Sequence, residues 1–101
     1  MNKPIVVTLC GSTKFKQEFI EANRKETMAG KIVLTCGLFN HADGIGLTKE
    51  EKSMLDELHK RKIDISSEIL VLNVGGYTGK STRSEINYAR LKGKSIRHWE
   101  N

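Results

Sequence analysis

Ile69-Leu70-Val71-Leu72-Asn73-Val74, then Gly75-Gly76-Tyr77-Thr78-Gly79-Lys80-Ser81-Thr82, then Arg83-Ser84-Glu85-Ile86-Asn87-Tyr88-Ala89-Arg90, is the stretch that decides the fold. Its first part is a short continuous apolar run, the pattern of a strand buried on both faces. A loop rich in glycines and hydroxyls follows, and then a helix from about Ser81 to Leu91 that carries a glutamate one turn inside. Gly93 ends that helix, and a last strand is expected near Ser95–Trp99.

The chain on the other side repeats the pattern. Thr48-Lys49-Glu50-Glu51 is a capping box, with Thr48 as cap and Glu51 as its reciprocal partner. It opens a helix that continues through Met54, Leu55, Leu58, Arg61-Lys62 and Ile65 at three- and four-residue intervals. Further back, Ile5–Cys10 is a β-rich run ended by Gly11. Ser12 or Thr13 is expected to cap a helix whose apolar stripe is Phe15, Phe19, Ile20 and Ala22-Asn23 and which Gly30 stops. Ile32–Cys36 is the second strand, and Gly37–Leu47 is irregular. The order β-α-β-α-β-α-β, with a helix between every pair of strands, predicts one α/β domain over residues 1–101. The architecture expected is a small Rossmann-like (flavodoxin-like) parallel sheet of about four strands with helices on both faces.

Composition narrows the function classes. A chain of 101 residues supports one small core, burying roughly 65% of its unfolded surface. No apolar run approaches the ~18 residues of a membrane-spanning helix, and Met1-Asn2-Lys3-Pro4 leads straight into a strand, so a soluble cytoplasmic protein with no membrane partner is expected. Cys10 and Cys36 have neither a CxxC spacing nor a neighbouring His/Cys cluster, so spacing supports no metal site, and buried free thiols are favoured over a disulfide. The net charge is +5, and the basic excess follows Glu68, where Lys80, Arg83, Arg90, Lys92, Lys94 and Arg97 meet only Glu85 before Glu100. Attraction of small phosphorylated ligands and simple solubility both explain that charge. Six per cent aromatic residues in no stacking pattern argues against a nucleic-acid partner.

Ligands of open α/β sheets sit outside the carboxyl ends of the strands, where strand order reverses. Three loops leave strand ends there: Gly11–Lys14, Gly37–Leu47 and Gly75–Ser81. The third invites comparison with the P-loop, G-x-x-x-x-G-K-[ST], but that motif needs a glycine at residue 74, which is valine. The loop is a residue short, and too little chain remains to supply a metal-binding acid. Gly11-Ser12-Thr13-Lys14 is a better anion site, with backbone N–H groups, two hydroxyls and a lysine at a helix start. Its alternative is a glycine turn before a capped helix. Gly79, Ser81 and Thr82 at the other helix start add a second donor cluster, and neighbouring parallel strands would bring the two together. Glu85, in a first turn, is either a dipole-favoured carboxylate or, beside an anion site, a nucleophile facing a sugar.

Leu9-Cys10-Gly11-Ser12-Thr13-Lys14, together with Ser81-Thr82-Arg83-Ser84-Glu85-Ile86-Asn87-Tyr88-Ala89, resembles the nucleoside 2-deoxyribosyltransferase-like superfamily. That group includes the deoxynucleoside 5′-monophosphate N-glycosidases. Ser81-Thr82-x-x-Glu85 is also similar, more faintly, to the G-T-x-x-E signature of the cytokinin-activating phosphoribohydrolases. The resemblance implies that Glu85 is the catalytic nucleophile and that Ser81 and Thr82 hold a phosphate or 5′-hydroxyl. It also implies that Cys10, Gly11 and Ser12 form the family's C-G-S turn. The family's second carboxylate would fall near His59-Lys60-Arg61, where none stands; Asp64 is the nearest replacement, with Asp56 and Glu57 further back. Ser67-Glu68 replaces the Ala-Asp pair that commonly begins the family's third strand.

The expected activity is cleavage or transfer at the N-glycosidic bond of a nucleotide or nucleoside, through a Glu85 glycosyl-enzyme intermediate. No cofactor is implied, and a homodimer or higher homo-oligomer is. The alternative is a non-catalytic nucleotide-binding module of the same fold. Glu85 is expected to be ionised at neutral pH, and Asp64 to protonate the leaving base. His41 and Asp43 lie in the loop that would cover the base, or in a mobile surface loop. His59 reads as a surface histidine, Tyr77 as a local packing residue or a stacking platform, and Trp99 as core or subunit interface.

Overall fold

A computed structural model describes residues 3–100. Strand β1 (Val6–Cys10) is followed by helix α1 (Lys16–Met28), strand β2 (Ile32–Leu34), helix α2 (Lys49–Ile65) and strand β3 (Glu68–Val71). A single 3-10 turn at Val74–Gly76 leads to helix α3 (Lys80–Leu91) and strand β4 (Ser95–His98). All strand pairs are parallel, in the order β2-β1-β3-β4. This is the expected small Rossmann-like α/β fold, and the order reverses between β1 and β3. No described helix is long and apolar enough to cross a membrane.

Each face of the sheet has its own core. On one, α1 packs Phe19 and Ala22 against Val7, Leu9, Leu70 and Leu72, with Phe39 and Trp99 closing the edges. On the other, α2 and α3 bring Ile63 and Ala89 onto Cys10, Ile69 and Val71. Val7, Leu9, Cys10, Ile69 and Val71 are completely buried, which is why β1 and β3 read as continuous apolar runs without alternation. Trp99 belongs to the core, and its backbone N–H donates to the Val71 carbonyl at 2.8 Å.

Three local expectations need correction. The strands are shorter than their apolar runs: β2 stops at Leu34 and β3 at Val71. Beyond Val71 the Leu72 N–H still donates to the Cys10 carbonyl at 2.7 Å, and the chain then turns at Gly75 and Gly76 with φ of 63° and 79°, values that disfavour any residue with a Cβ. Neither Ser12 nor Thr13 caps α1. The chain first makes a turn in which Phe15 N–H donates to the Ser12 carbonyl at 3.0 Å, and α1 begins at Lys16 with no side-chain cap. At α3 the cap is Gly79 rather than Ser81, which places Glu85 in the second turn instead of the first. The capping box of α2 forms as expected: Glu51 N–H donates to Thr48 Oγ1 at 3.1 Å, and Thr48 N–H to Glu51 Oε1 at 2.9 Å.

Gly11 marks the switch point. A Cβ there would lie 3.1 Å from Leu72 Cβ and 3.3 Å from the Leu72 carbonyl oxygen, so glycine lets the chain leaving β1 cross close to the chain leaving β3 without displacing it.

Candidate functional site: a cleft at the switch point

The loops after β1, β2 and β3 surround a cleft of about 550 Å³ at the carboxyl edge of the sheet. Of the residues expected from sequence, Glu85, Gly11, Ser12, Thr13, Gly79, Ser81 and Thr82 all line it. The β2–α2 loop contributes Leu38, Ile45 and Leu47, and α2 contributes Leu55 and Leu58, which give one side of the cleft an apolar wall. The loop is tied down at its crest. Thr13 Oγ1 and His41 Nδ1 are 2.7 Å apart, and Lys16 Nζ donates to Asp43 Oδ1 at 2.8 Å. His41 and Asp43 therefore join the rim of the cleft to the β1–α1 turn.

Two expected residues do not join the site. Lys14 is not on the cleft wall; its ammonium sits 3.8 Å from the centre of the Tyr77 ring and 5.2 Å from that of Phe15. Those two rings meet edge to face at 6.0 Å, so a cation held on aromatic faces replaces the expected phosphate contact. Asp64 stands at the far end of α2, near the amino edge of the sheet. There its Oδ2 accepts from Arg61 Nε at 3.0 Å, and its other oxygen accepts from the Tyr88 hydroxyl. It has no line to Glu85 and is a helix-end ion pair.

The start of α3 forms one end of the cleft. Gly79 provides no side-chain cap, so the first N–H groups of the helix point outward without a side-chain acceptor. Ser81 Oγ accepts from Lys52 Nζ at 3.0 Å, and Lys52 also pairs with Asp56 at 3.0 Å. A smaller groove between α2 and α3 continues from this point, lined by Lys52, Lys60, Lys80 and Ser84, and reaches Glu85 from the other side.

Glu85 sits on the buried face of α3 with Thr82 and Ala89. It is 9% exposed, and among the described residues no lysine or arginine forms a salt bridge with it. Burial, with the charge of Asp56 second, pushes its carboxyl up to about 7, so about half of the molecules hold a proton there at pH 7. This corrects the expectation of a fully ionised glutamate; a hydrogen bond from Cys10 and the charges of Lys52 and Lys60 pull the other way without offsetting desolvation.

His59 is the residue that sequence reading misplaced. It is 8% exposed, with Nε2 3.6 Å from Cys10 Sγ and 3.8 Å from Glu85 Oε1. Burial, followed by the charge of Lys62, lowers its pKa to about 4, so the imidazole is neutral at pH 7 and its contact with Glu85 is not an ion pair. Burial and the neighbouring Glu85 push the Cys10 thiol well above its usual range, which makes it a poor nucleophile. A signal for His59 was present: it lies four residues from both Leu55 and Ile63, on the face of α2 that turns toward the sheet. Asp56, one residue off that face, lines both the cleft and the groove with Glu85. Compared with protein-family models and with curated proteins, the sequence gives no match.

Proposed function

We propose that the cleft binds a nucleotide or nucleoside and that Glu85 opens its N-glycosidic bond. The observation that carries this reading is the placement of a buried carboxyl, free of any cation partner, between an uncapped helix start and an apolar wall. The helix start at Gly79, with Ser81 and Lys52 beside it, suits a 5′-phosphate. The apolar side formed by Leu38, Ile45, Leu47, Leu55 and Leu58 suits the base. The sugar then lies between them, over Gly11 and within reach of Glu85.

In the proposed reaction ionised Glu85 attacks C1′, forming a C–O bond as the C1′–N bond breaks and its electron pair leaves with the base. Water, or the nitrogen of a second base, later attacks C1′ and releases the carboxylate. The departing base needs a proton, and Asp56, the other carboxyl on the cleft wall, is assigned that delivery in place of Asp64. Burial of Glu85 serves the attack, because a carboxylate stripped of water is held in place and strengthened as a nucleophile once ligand closes the cleft.

The test is incubation with a panel of deoxy- and ribonucleoside 5′-monophosphates, with free base measured by chromatography. Base released by the wild type and not by Glu85→Gln supports the proposal. Nucleotide binding without base release would reject it and identify a binding module instead.

A further inference from the structure

Cys10, His59 and Glu85 come from β1, α2 and α3 and meet beneath the cleft, which His59 and Glu85 line, with one sulfur, one nitrogen and one carboxylate oxygen all within 4.8 Å of one another. All three residues are buried. We infer that Cys10, His59 and Glu85 form a three-ligand site for a thiophilic divalent cation of the zinc class, with its fourth position open to the cleft.

Two of the three donor–donor edges are near those such an ion requires, and the third lies within 4.8 Å. Tetrahedral zinc, with bonds of about 2.3 Å to sulfur and about 2.05 Å to nitrogen, sets the two donors about 3.6 Å apart; Cys10 Sγ and His59 Nε2 are 3.6 Å apart. The corresponding nitrogen–oxygen edge is about 3.3 Å, against 3.8 Å between His59 Nε2 and Glu85 Oε1. A small side-chain rotation of Glu85 closes that gap. The donor set of thiolate, imidazole and carboxylate suits zinc and not calcium or magnesium, which take shells of oxygen.

A second observation concerns the imidazole. The Leu9 carbonyl faces the ring as a hydrogen-bond acceptor. Nε2 is turned to Cys10 and Glu85; an Nδ1 proton held on that carbonyl would leave the lone pair on Nε2, the way metal-binding histidines are held by their outer partners. The 3.8 Å gap to Glu85 is too long for a hydrogen bond, so the lone pair and the carboxylate oxygen face a shared space without a bond between them. Three protein ligands beside an accessible cleft match zinc sites that keep an exchangeable fourth position. Binding sends the Cys10 thiol proton to solvent, along with the Glu85 proton where one is held, and three metal–ligand bonds form.

This inference does not rest on the glycosidic reading, although the ion occupies the oxygen that reading needs. The metal-free form would then be the one that cleaves, and zinc would inhibit it.

The test uses the full chain, stripped with a chelator and titrated first with Co²⁺ and then with Zn²⁺. The expected result is one Co²⁺ per chain, with the strong visible bands of four-coordinate cobalt and a thiolate-to-cobalt charge-transfer band. One equivalent of Zn²⁺ should abolish both. Cys10→Ser loses the charge-transfer band and Cys36→Ser keeps it. His59→Gln and Glu85→Gln each weaken Zn²⁺ binding on the order of 100-fold, and they carry the test if Cys10→Ser fails to fold. A spectrum of the six-coordinate type, or a charge-transfer band that survives Cys10→Ser and disappears in Cys36→Ser, overturns the inference. Base release is scored separately in the chelator-treated protein. Release without a cobalt site leaves only the glycosidic reading standing, and a cobalt site without release leaves only this one.

Discussion

Glu26 and Glu85 are both buried glutamates, 5% and 9% exposed, and they sit in opposite kinds of environment. Glu26, on α1, shares a network with Lys31, Glu68 and Arg97: Lys31 Nζ lies 3.2 Å from Glu26 and 3.0 Å from Glu68, and Arg97 donates to both carboxylates. For both glutamates burial works against ionisation, yet the hydrogen bonds and charge of Arg97 and Lys31 outweigh it and hold the pKa below the usual value. At Glu85 the charges of Lys52 and Lys60 do not outweigh the burial, and the shift goes the other way. The first carboxylate is committed to holding α1, β3 and β4 together. The second is left with an unmet demand for a positive partner, and it faces a cleft. The difference separates a structural charge from one available for chemistry.

The same substitution should therefore have opposite signs at the two sites. Glu26→Gln removes the charge that Lys31 and Arg97 are arranged around and should destabilise the fold by about 2–3 kcal/mol at pH 7, read as a lower denaturant midpoint. Glu85→Gln should instead stabilise it at pH 8 by up to about 3 kcal/mol. Two destabilising outcomes of similar size would erase the distinction.

The pH dependence of stability sharpens the comparison further. The Glu85 pKa is raised from 4.5 to about 7, so its contribution is fully present below pH 4.5 and is lost as pH rises through about 7. The His59 pKa is lowered from 6.5 to about 4, so its contribution is present above pH 6.5 and is lost as pH falls through about 4. Over pH 4.5–6.5 the two slopes oppose each other and nearly cancel. Urea titrations across that range should show a flat profile from this pair in the wild type. Glu85→Gln should leave stability rising with pH, by about 1 kcal/mol per pH unit, and His59→Gln should leave it falling. In turnover, the rising limb of kcat/KM should lie near pH 7, where Glu85 ionises.

The smallest effects should come from the two aspartates of α2. Asp56→Asn should slow base release on the order of 10- to 100-fold, and less for substrates whose base leaves readily without protonation. Asp64→Asn, away from the cleft, should leave base release unchanged and cost less than about 1 kcal/mol of stability.

The fold was legible because strands β1 and β3 are buried on both faces and because the punctuation between elements is local: a capping box at Thr48 and glycines at 11, 30 and 93. What local reading missed is tertiary. Ser12 and Thr13 are good caps in isolation, but the turn at Phe15 puts the apolar ring of Phe19 onto the core and moves the helix start downstream. The cleft residues at strand ends and helix starts were found because the topology fixes where such ends converge. His59 was not, since the middle of a helix carries no such marker, and Asp56 stood only behind Asp64 as a replacement acid. Only the α2 stripe Leu55, His59, Ile63 shows that a histidine takes an apolar position. Asp64 is near the site along the chain, but its carboxylate is taken up by Arg61 and the Tyr88 hydroxyl and does not line the cleft.

The most direct test of the account is capture of the glycosyl-enzyme. The protein is mixed with a deoxynucleoside 5′-monophosphate that it cleaves, quenched rapidly in acid, and examined by intact and peptide mass spectrometry. The account predicts a sugar-phosphate adduct on the peptide containing Glu85, absent from Glu85→Gln. Base accumulating with the adduct on another residue, or with full activity in Glu85→Gln, would contradict it.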